Sequence, residues 1–164
     1  YFYGMDSSCL SSESNIKLAL NHISNETGLM FIRLPPEIAL SIGGINYNCK
    51  GTQSSKAAGI AETGMVTMII GYVPFIFGWH QVHLSSITQE VILHETMHSI
   101  GFDHVDDPKS IMYPYAVGNS YLDSFTISLI RSKYIENPIA YLNIVPLNLF
   151  YLIALLFWLF TQQT

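Results

Sequence analysis

Four side chains within eleven residues carry the first chemical signal. They lie in the string His94-Glu95-Thr96-Met97-His98-Ser99-Ile100-Gly101-Phe102-Asp103-His104, which reads H-E-x-x-H-x-x-G-x-x-H. On an α-helix, residues i and i+4 share a face one turn apart. His94 and His98 on such a helix offer two imidazoles to one point in space. Glu95 projects about 100° further round, where it is poorly placed as a third ligand but can reach a water held at that point. Gly101 lets the chain leave the helix, because glycine accepts the left-handed conformation in which helices commonly end. His104 can then return to the same point. Three neutral imidazoles plus water make an open tetrahedral zinc site, the catalytic and not the structural arrangement. Zinc lowers the pKa of such a water towards ~7, and Glu95 would take the proton and pass it to the leaving amine.

A bare H-E-x-x-H arises by chance in many helices. Here five specified positions agree, and a second string, Ser110-Ile111-Met112-Tyr113-Pro114, follows. It supplies the methionine turn that accompanies the long form of the motif. The surrounding helix reads as amphipathic, with Val91, Ile92, Thr96 and Ile100 facing neighbours while the ligands share one stripe.

These residues resemble the metzincin clan of zinc endopeptidases. Within it, His104-Val105-Asp106-Asp107-Pro108 followed by Ser110-Ile111-Met112-Tyr113-Pro114 is most similar to the matrixin (matrix metalloproteinase) pattern of H-x-x-D-P and L-M-Y-P. Val105, where astacins carry an acidic residue, argues against that branch. The resemblance spans roughly residues 86–134. It implies zinc ligation by His94, His98 and His104, a general base in Glu95, and a hydrophobic floor from Met112. It also implies a substrate-pocket wall from Pro114. Matrixins carry a tyrosine two residues beyond that proline. Here Ala116 stands there and Tyr115 comes one residue early, so the pocket should differ in shape with Tyr115 as its aromatic. The implied fold is α+β: a twisted mixed β-sheet with three helices, one of them the active-site helix.

Other elements must hold this constellation. Ser12 to Thr27 reads as a first helix, with Ile16, Ala19, Leu20 and Ile23 on one face and Gly28 as its stop. Leu29 to Leu34 reads as a strand ended by Pro35-Pro36. Ile38 to Ile42 is a second strand candidate, and Met65 to Val73 a better one. Gly43-Gly44 and Gly51 to Gly64 read as loops. Leu122 to Ile130 reads as a last helix capped by Asp123 or Ser124. The family's usual first strand would fall in Tyr1 to Met5, which reads as truncated.

The chain of 164 residues suits one domain, and its formal net charge of −5 gives no basic footprint for nucleic acid. The expected division is a catalytic domain over 1–136 and a hydrophobic tail over 137–164. No charged residue lies between Ile139 and Phe160, so the tail is a candidate membrane anchor, with packing onto the domain as the alternative. Cys9 and Cys49 read equally as a disulfide in an oxidising compartment or as two thiols. The sequon Asn25-Glu26-Thr27 mildly favours the secretory route, so an extracellular or membrane-anchored protein is expected. His80 and His83 occupy a region where matrixins bind structural zinc and calcium. No aspartate lies between Asp6 and Asp103, so a calcium site lacks its carboxylates, and both histidines read as strand-end residues.

The expected function is zinc-dependent cleavage of a protein or peptide laid along an edge strand. Two other readings stand beside it. One is a non-catalytic, membrane-tethered binding module on the same scaffold, and the other a zinc hydrolase acting on a non-protein amide.

Overall fold

Ile16, Ala19, Leu20, Ile23 and Thr27 recur at helical spacing, and the helix that forms over them buries all five. A computed structural model describes residues 1–51, 58–70 and 73–136, the side chains of 63–79 excepted. In chain order the elements are β1 (Phe2–Met5), a 3-10 turn (Ser7–Ser12), α1 (Glu13–Thr27), β2 (Ile32–Arg33), α2 (Pro36–Ser41), β3 (Ile45–Asn48), β4 (Gly59–Ile70), β5 (Val73–Leu84), α3 (Gln89–Ser99) and α4 (Ser124–Tyr134). The result is an α+β fold on one five-stranded mixed sheet of order β2-β1-β3-β5-β4. β1 pairs parallel with β2 and β3, and β3 pairs parallel with β5. β4 pairs antiparallel with β5 and lies at the sheet edge.

The sheet alternates as strands must, successive side chains taking opposite faces. One face carries Tyr3, Met5, Ile45, Tyr47, Val82 and Leu84 into the core, where Ile92, Leu93 and Met97 of α3 and the apolar stripe of α1 meet them. Each such large apolar side chain contributes about 1.5–3 kcal/mol by leaving water. Tyr47 is fully buried, and its hydroxyl lies 2.8 Å from Oγ1 of Thr96. That bond lets a polar group sit between sheet and helix without an unmet partner. Cys9 and Cys49 form a disulfide that ties the 3-10 turn to the residue after β3.

Several expectations change. The described residues hold four α-helices, not three. Ile38 to Ile42 is not a strand: Pro36 stands at the first helical positions, where its missing N–H costs nothing, and α2 runs to Ser41. A five-residue run such as Ile38 to Ile42 has no periodicity that separates helix from strand. The strand expected over Leu29–Leu34 shrinks to Ile32–Arg33, an edge pair with both side chains exposed. β1 forms over Phe2–Met5 and pairs on both sides. β3 was hidden among Gly43, Gly44 and two asparagines, in a stretch with the composition of a loop. β4 begins at Gly59, inside the stretch read as a loop, and ends at Ile70; residues 52–57 and 71–72 lie outside the described residues. The last helix starts two residues later than expected and reaches Tyr134.

The apolar tail at 139–160 lies outside the described residues. Among the described residues, no helix is long and apolar enough to cross a membrane.

Candidate metal centre and cleft

α3 begins where Thr88 caps it, Oγ1 accepting from the Val91 N–H at 3.4 Å. It ends at Ser99, and Gly101 follows with φ +85°, the left-handed conformation the sequence required. α4 completes that helix end. Lys133 Nζ donates to the Gly101 carbonyl at 3.1 Å, and the Tyr134 hydroxyl donates to the Ile100 carbonyl. These are carbonyls that a helix terminus leaves without intrahelical partners.

The chain then brings His104 back. Nε2 of His94 lies 3.0 Å from Nε2 of His98 and 3.2 Å from Nε2 of His104, and the latter two are 3.1 Å apart. The other ring nitrogens of the helical pair are engaged. Nδ1 of His94 lies 2.7 Å from the Ile111 carbonyl, and Nδ1 of His98 lies 2.7 Å from the Phe102 carbonyl. A carbonyl only accepts, so in each ring Nδ1 carries the proton and Nε2 presents a lone pair. The two lone pairs of His94 and His98, 3.0 Å apart, repel unless a cation or a donor hydrogen lies between them. A tetrahedral ion with ~2.0–2.1 Å bonds would space such nitrogens by ~3.3 Å, close to what is found. Burial holds both His94 and His98 below the usual histidine range, against the pull of their carbonyl partners. That shift favours the neutral form, which ligation needs. The donor set fits a metal ion, and the carbonyls of Ile111 and Phe102 orient its rings. Among the described residues, this is the cluster of three ligand side chains that could hold one.

Glu95 lies beside the triad, 6% exposed. Burial pushes its carboxyl up to about 7, opposed by a hydrogen bond from the Ala61 backbone. The carboxylate packs against β4 at Gly59, where any Cβ would force it to shift. A Cβ on Gly59 would stand 2.5 Å from Cγ and 2.7 Å from Oε1 of Glu95. Sequence reasoning passed over Gly59 and Ala61 because they fell in a stretch read as a loop, and no pattern there announced a strand against the helix.

Met112 is buried at 2% exposure, and its backbone carbonyl accepts from the Val105 N–H at 3.0 Å, just past His104. The turn is clamped by Asp123. Oδ2 accepts from the Ser110 hydroxyl (2.8 Å), the Ile111 N–H (3.2 Å) and the Thr126 hydroxyl (2.8 Å), while Oδ1 accepts from the Thr126 N–H (2.8 Å). Burial alone would raise this carboxyl, but those donors outweigh it and hold it below the usual carboxylate range. The sequence marked Asp123 as a helix cap, and its second task at the methionine turn carried no signal.

A cleft of about 660 Å³ opens over the triad. α3 forms one side, Ala58 and the start of β4 from Gly59 to Ala61 the other, and Tyr113 to Ala116 an end wall that includes Pro114 and Tyr115. Tyr115 is 70% exposed and stands edge-on to Tyr113. Six of the expected site residues thus converge: His94, Glu95, His98, His104, Pro114 and Tyr115 line one cleft, while Met112 is buried in the core. His80 and His83 do not join it as ligands. Both lie in β5, where His83 Nε2 is 3.6 Å from Oε2 of Glu62. His22, given no role from sequence, accepts the Leu122 N–H at 3.3 Å and so ties α1 to the segment before α4.

No protein-family model matches this chain, and no curated protein matches it.

Proposed function

We propose that the chain is a zinc-dependent endopeptidase of metzincin type, matrixin-like in its motif, with residues 1–136 as its catalytic domain. The observation that carries this reading is the meeting of three imidazole nitrogens with a buried carboxylate, in a cleft bordered by an edge strand. His94, His98 and His104 would hold the ion. When bound, zinc supplies Lewis acidity, which polarises a carbonyl and brings the pKa of a water towards ~7.

The chain's own groups supply the rest. Among the described residues β4 has β5 on one side only, so an extended peptide can add to its other side through backbone hydrogen bonds. Glu95, pinned between α3 and Gly59, accepts the proton from water as it attacks the peptide carbonyl. It then gives that proton to the leaving amine, which keeps charge balanced across the step. The Ile111 and Phe102 carbonyls keep two ligand rings from rotating. The Cys9–Cys49 disulfide supports an oxidising compartment such as the extracellular space. The tail at 139–160 would then tether the enzyme to a membrane.

The test is zinc content and cleavage of a quenched fluorescent peptide mixture by the full chain beside Glu95→Gln. The expected result is one equivalent of zinc in both proteins, with cleavage reduced ~10²–10⁴-fold in the variant. Full activity in Glu95→Gln would remove the general base. Zinc in both proteins with cleavage by neither would turn the reading to the non-catalytic binding module.

A further inference from the structure

Glu90 lies one turn before His94 on α3 and lines the same cleft. Nothing in the proposed chemistry uses it. Its Oε1 accepts from three successive backbone amides: Val117 at 2.8 Å, Gly118 at 2.9 Å and Asn119 at 3.0 Å. Successive N–H groups aimed at one point form a concave anion-binding nest. Gly118 has φ +93°, a conformation that L side chains resist. Here the nest holds a carboxylate of the protein itself.

Those three amides directly follow Pro114, Tyr115 and Ala116, the end wall of the cleft. The segment is held weakly by burial, since Tyr115 is 70% and Val117 51% exposed. Its far end is tied down by the Asn119 side chain, whose Nδ2 donates to the carbonyls of Pro108 (2.9 Å) and Ser110 (3.1 Å). Asn119 thus fastens the segment to the methionine turn, and Glu90 fastens it to the helix that carries His94 and Glu95. Charge-assisted hydrogen bonds of this kind are roughly twice as strong as neutral ones.

We propose that Glu90 is a specificity-determining positioning residue, a latch that fixes the 114–119 wall against α3 and so sets which substrate side chains enter beside the triad. This inference rests on the cleft being a peptidase site. The latch itself is a property of the chain and is readable without turnover.

Hydrogen exchange at the Val117, Gly118 and Asn119 amides, paired with cleavage of peptides graded in side-chain size, tests it. Glu90→Ala removes the acceptor, while Glu90→Gln keeps an oxygen for the same donors. In Glu90→Ala, exchange at the three amides should accelerate ~10-fold or more while α4 keeps its protection. The ranking of peptides by kcat/KM should flatten by ~10-fold or more, the scale on which a fixed pocket discriminates a methylene. Glu90→Gln should keep both the protection and the ranking. Unchanged exchange in Glu90→Ala would overturn the latch, and faster exchange with an unchanged ranking would overturn its role in specificity. Should Glu90→Ala unfold, seen as faster exchange throughout, Glu90→Asp takes its place: it shortens the reach by one methylene, and its exchange and peptide ranking decide the latch and its role in the same way. If the wild type cleaves no peptide, the peptidase reading fails, while the exchange measurement still decides the latch.

Discussion

At the scale of single residues, the site depends on close contacts. Gly59 shows this most directly. Its missing Cβ leaves the space that the Glu95 side chain occupies, so Gly59→Ala must displace either the strand or the carboxylate. A displacement of ~1 Å at a reacting group costs ~10²-fold in rate. Gly59→Ala is therefore expected to lower kcat ~10²-fold while zinc content and thermal midpoint stay near wild type. Loss of zinc together with activity would show that the residue supports the fold and not the base. The carbonyls of Ile111 and Phe102 act at the same scale. They are backbone groups that no side-chain substitution removes, which explains how the histidine tautomers are fixed without an acidic partner.

Asp123 belongs to the scale of elements, because it joins two of them. It caps α4 through the Thr126 N–H and holds the methionine turn through Ser110 and Ile111. Both oxygens accept, and neither has room for a donor. Asp123→Asn turns one oxygen into an NH2 group facing other N–H or O–H groups. It is expected to destabilise the fold by ~1–3 kcal/mol, read as a lower urea midpoint with an unchanged slope. The pH dependence has a definite sign. The folded carboxyl lies below its usual range, so its contribution is fully present above the unfolded value of ~3.9. It is lost as pH falls through the folded value. Wild-type stability should therefore drop in that acidic window, and the Asp123→Asn profile should be flatter there. A parallel pair of profiles would contradict the clamp. α4 also closes the end of α3 through Lys133 and Tyr134, so the last helix supports the site at two points without lining it.

At the scale of the whole molecule, two links reach across the sequence. The Cys9–Cys49 bridge spans 40 residues, and a loop of that length restricts the unfolded chain by ~3–4 kcal/mol in the chain-entropy model. Replacing both cysteines by serine should lower the unfolding free energy by roughly that amount. No change on reduction of the wild type would contradict this. A metal held by the three histidines would be the second link, since His104 lies outside the helix that carries His94 and His98. An ion that binds only the folded chain adds ~2.7 kcal/mol at a hundredfold excess over its Kd. Zinc should raise the thermal midpoint and a chelator lower it, and His104→Ala should abolish that response while leaving α3 intact by circular dichroism.

The sequence by itself determined the three histidines that converge, the carboxylate beside them, the helix that carries most of them and the point where that helix stops. These are local matters: i to i+4 spacing, one adjacent carboxylate, and a glycine where the backbone turns left-handed. It also marked the first and last helices, because their apolar residues recur along one face. Only the tertiary structure decided the rest. It made Ile38–Ser41 part of a helix, raised Ile45–Asn48 and Gly59–Ala61 into strands, and joined Cys9 to Cys49. It also set Gly59 against Glu95 and wrapped three amides around Glu90. Short apolar runs carry no period long enough to distinguish their structures. Contacts between residues tens of positions apart depend on how elements pack, and the order of letters along the chain does not record that distance.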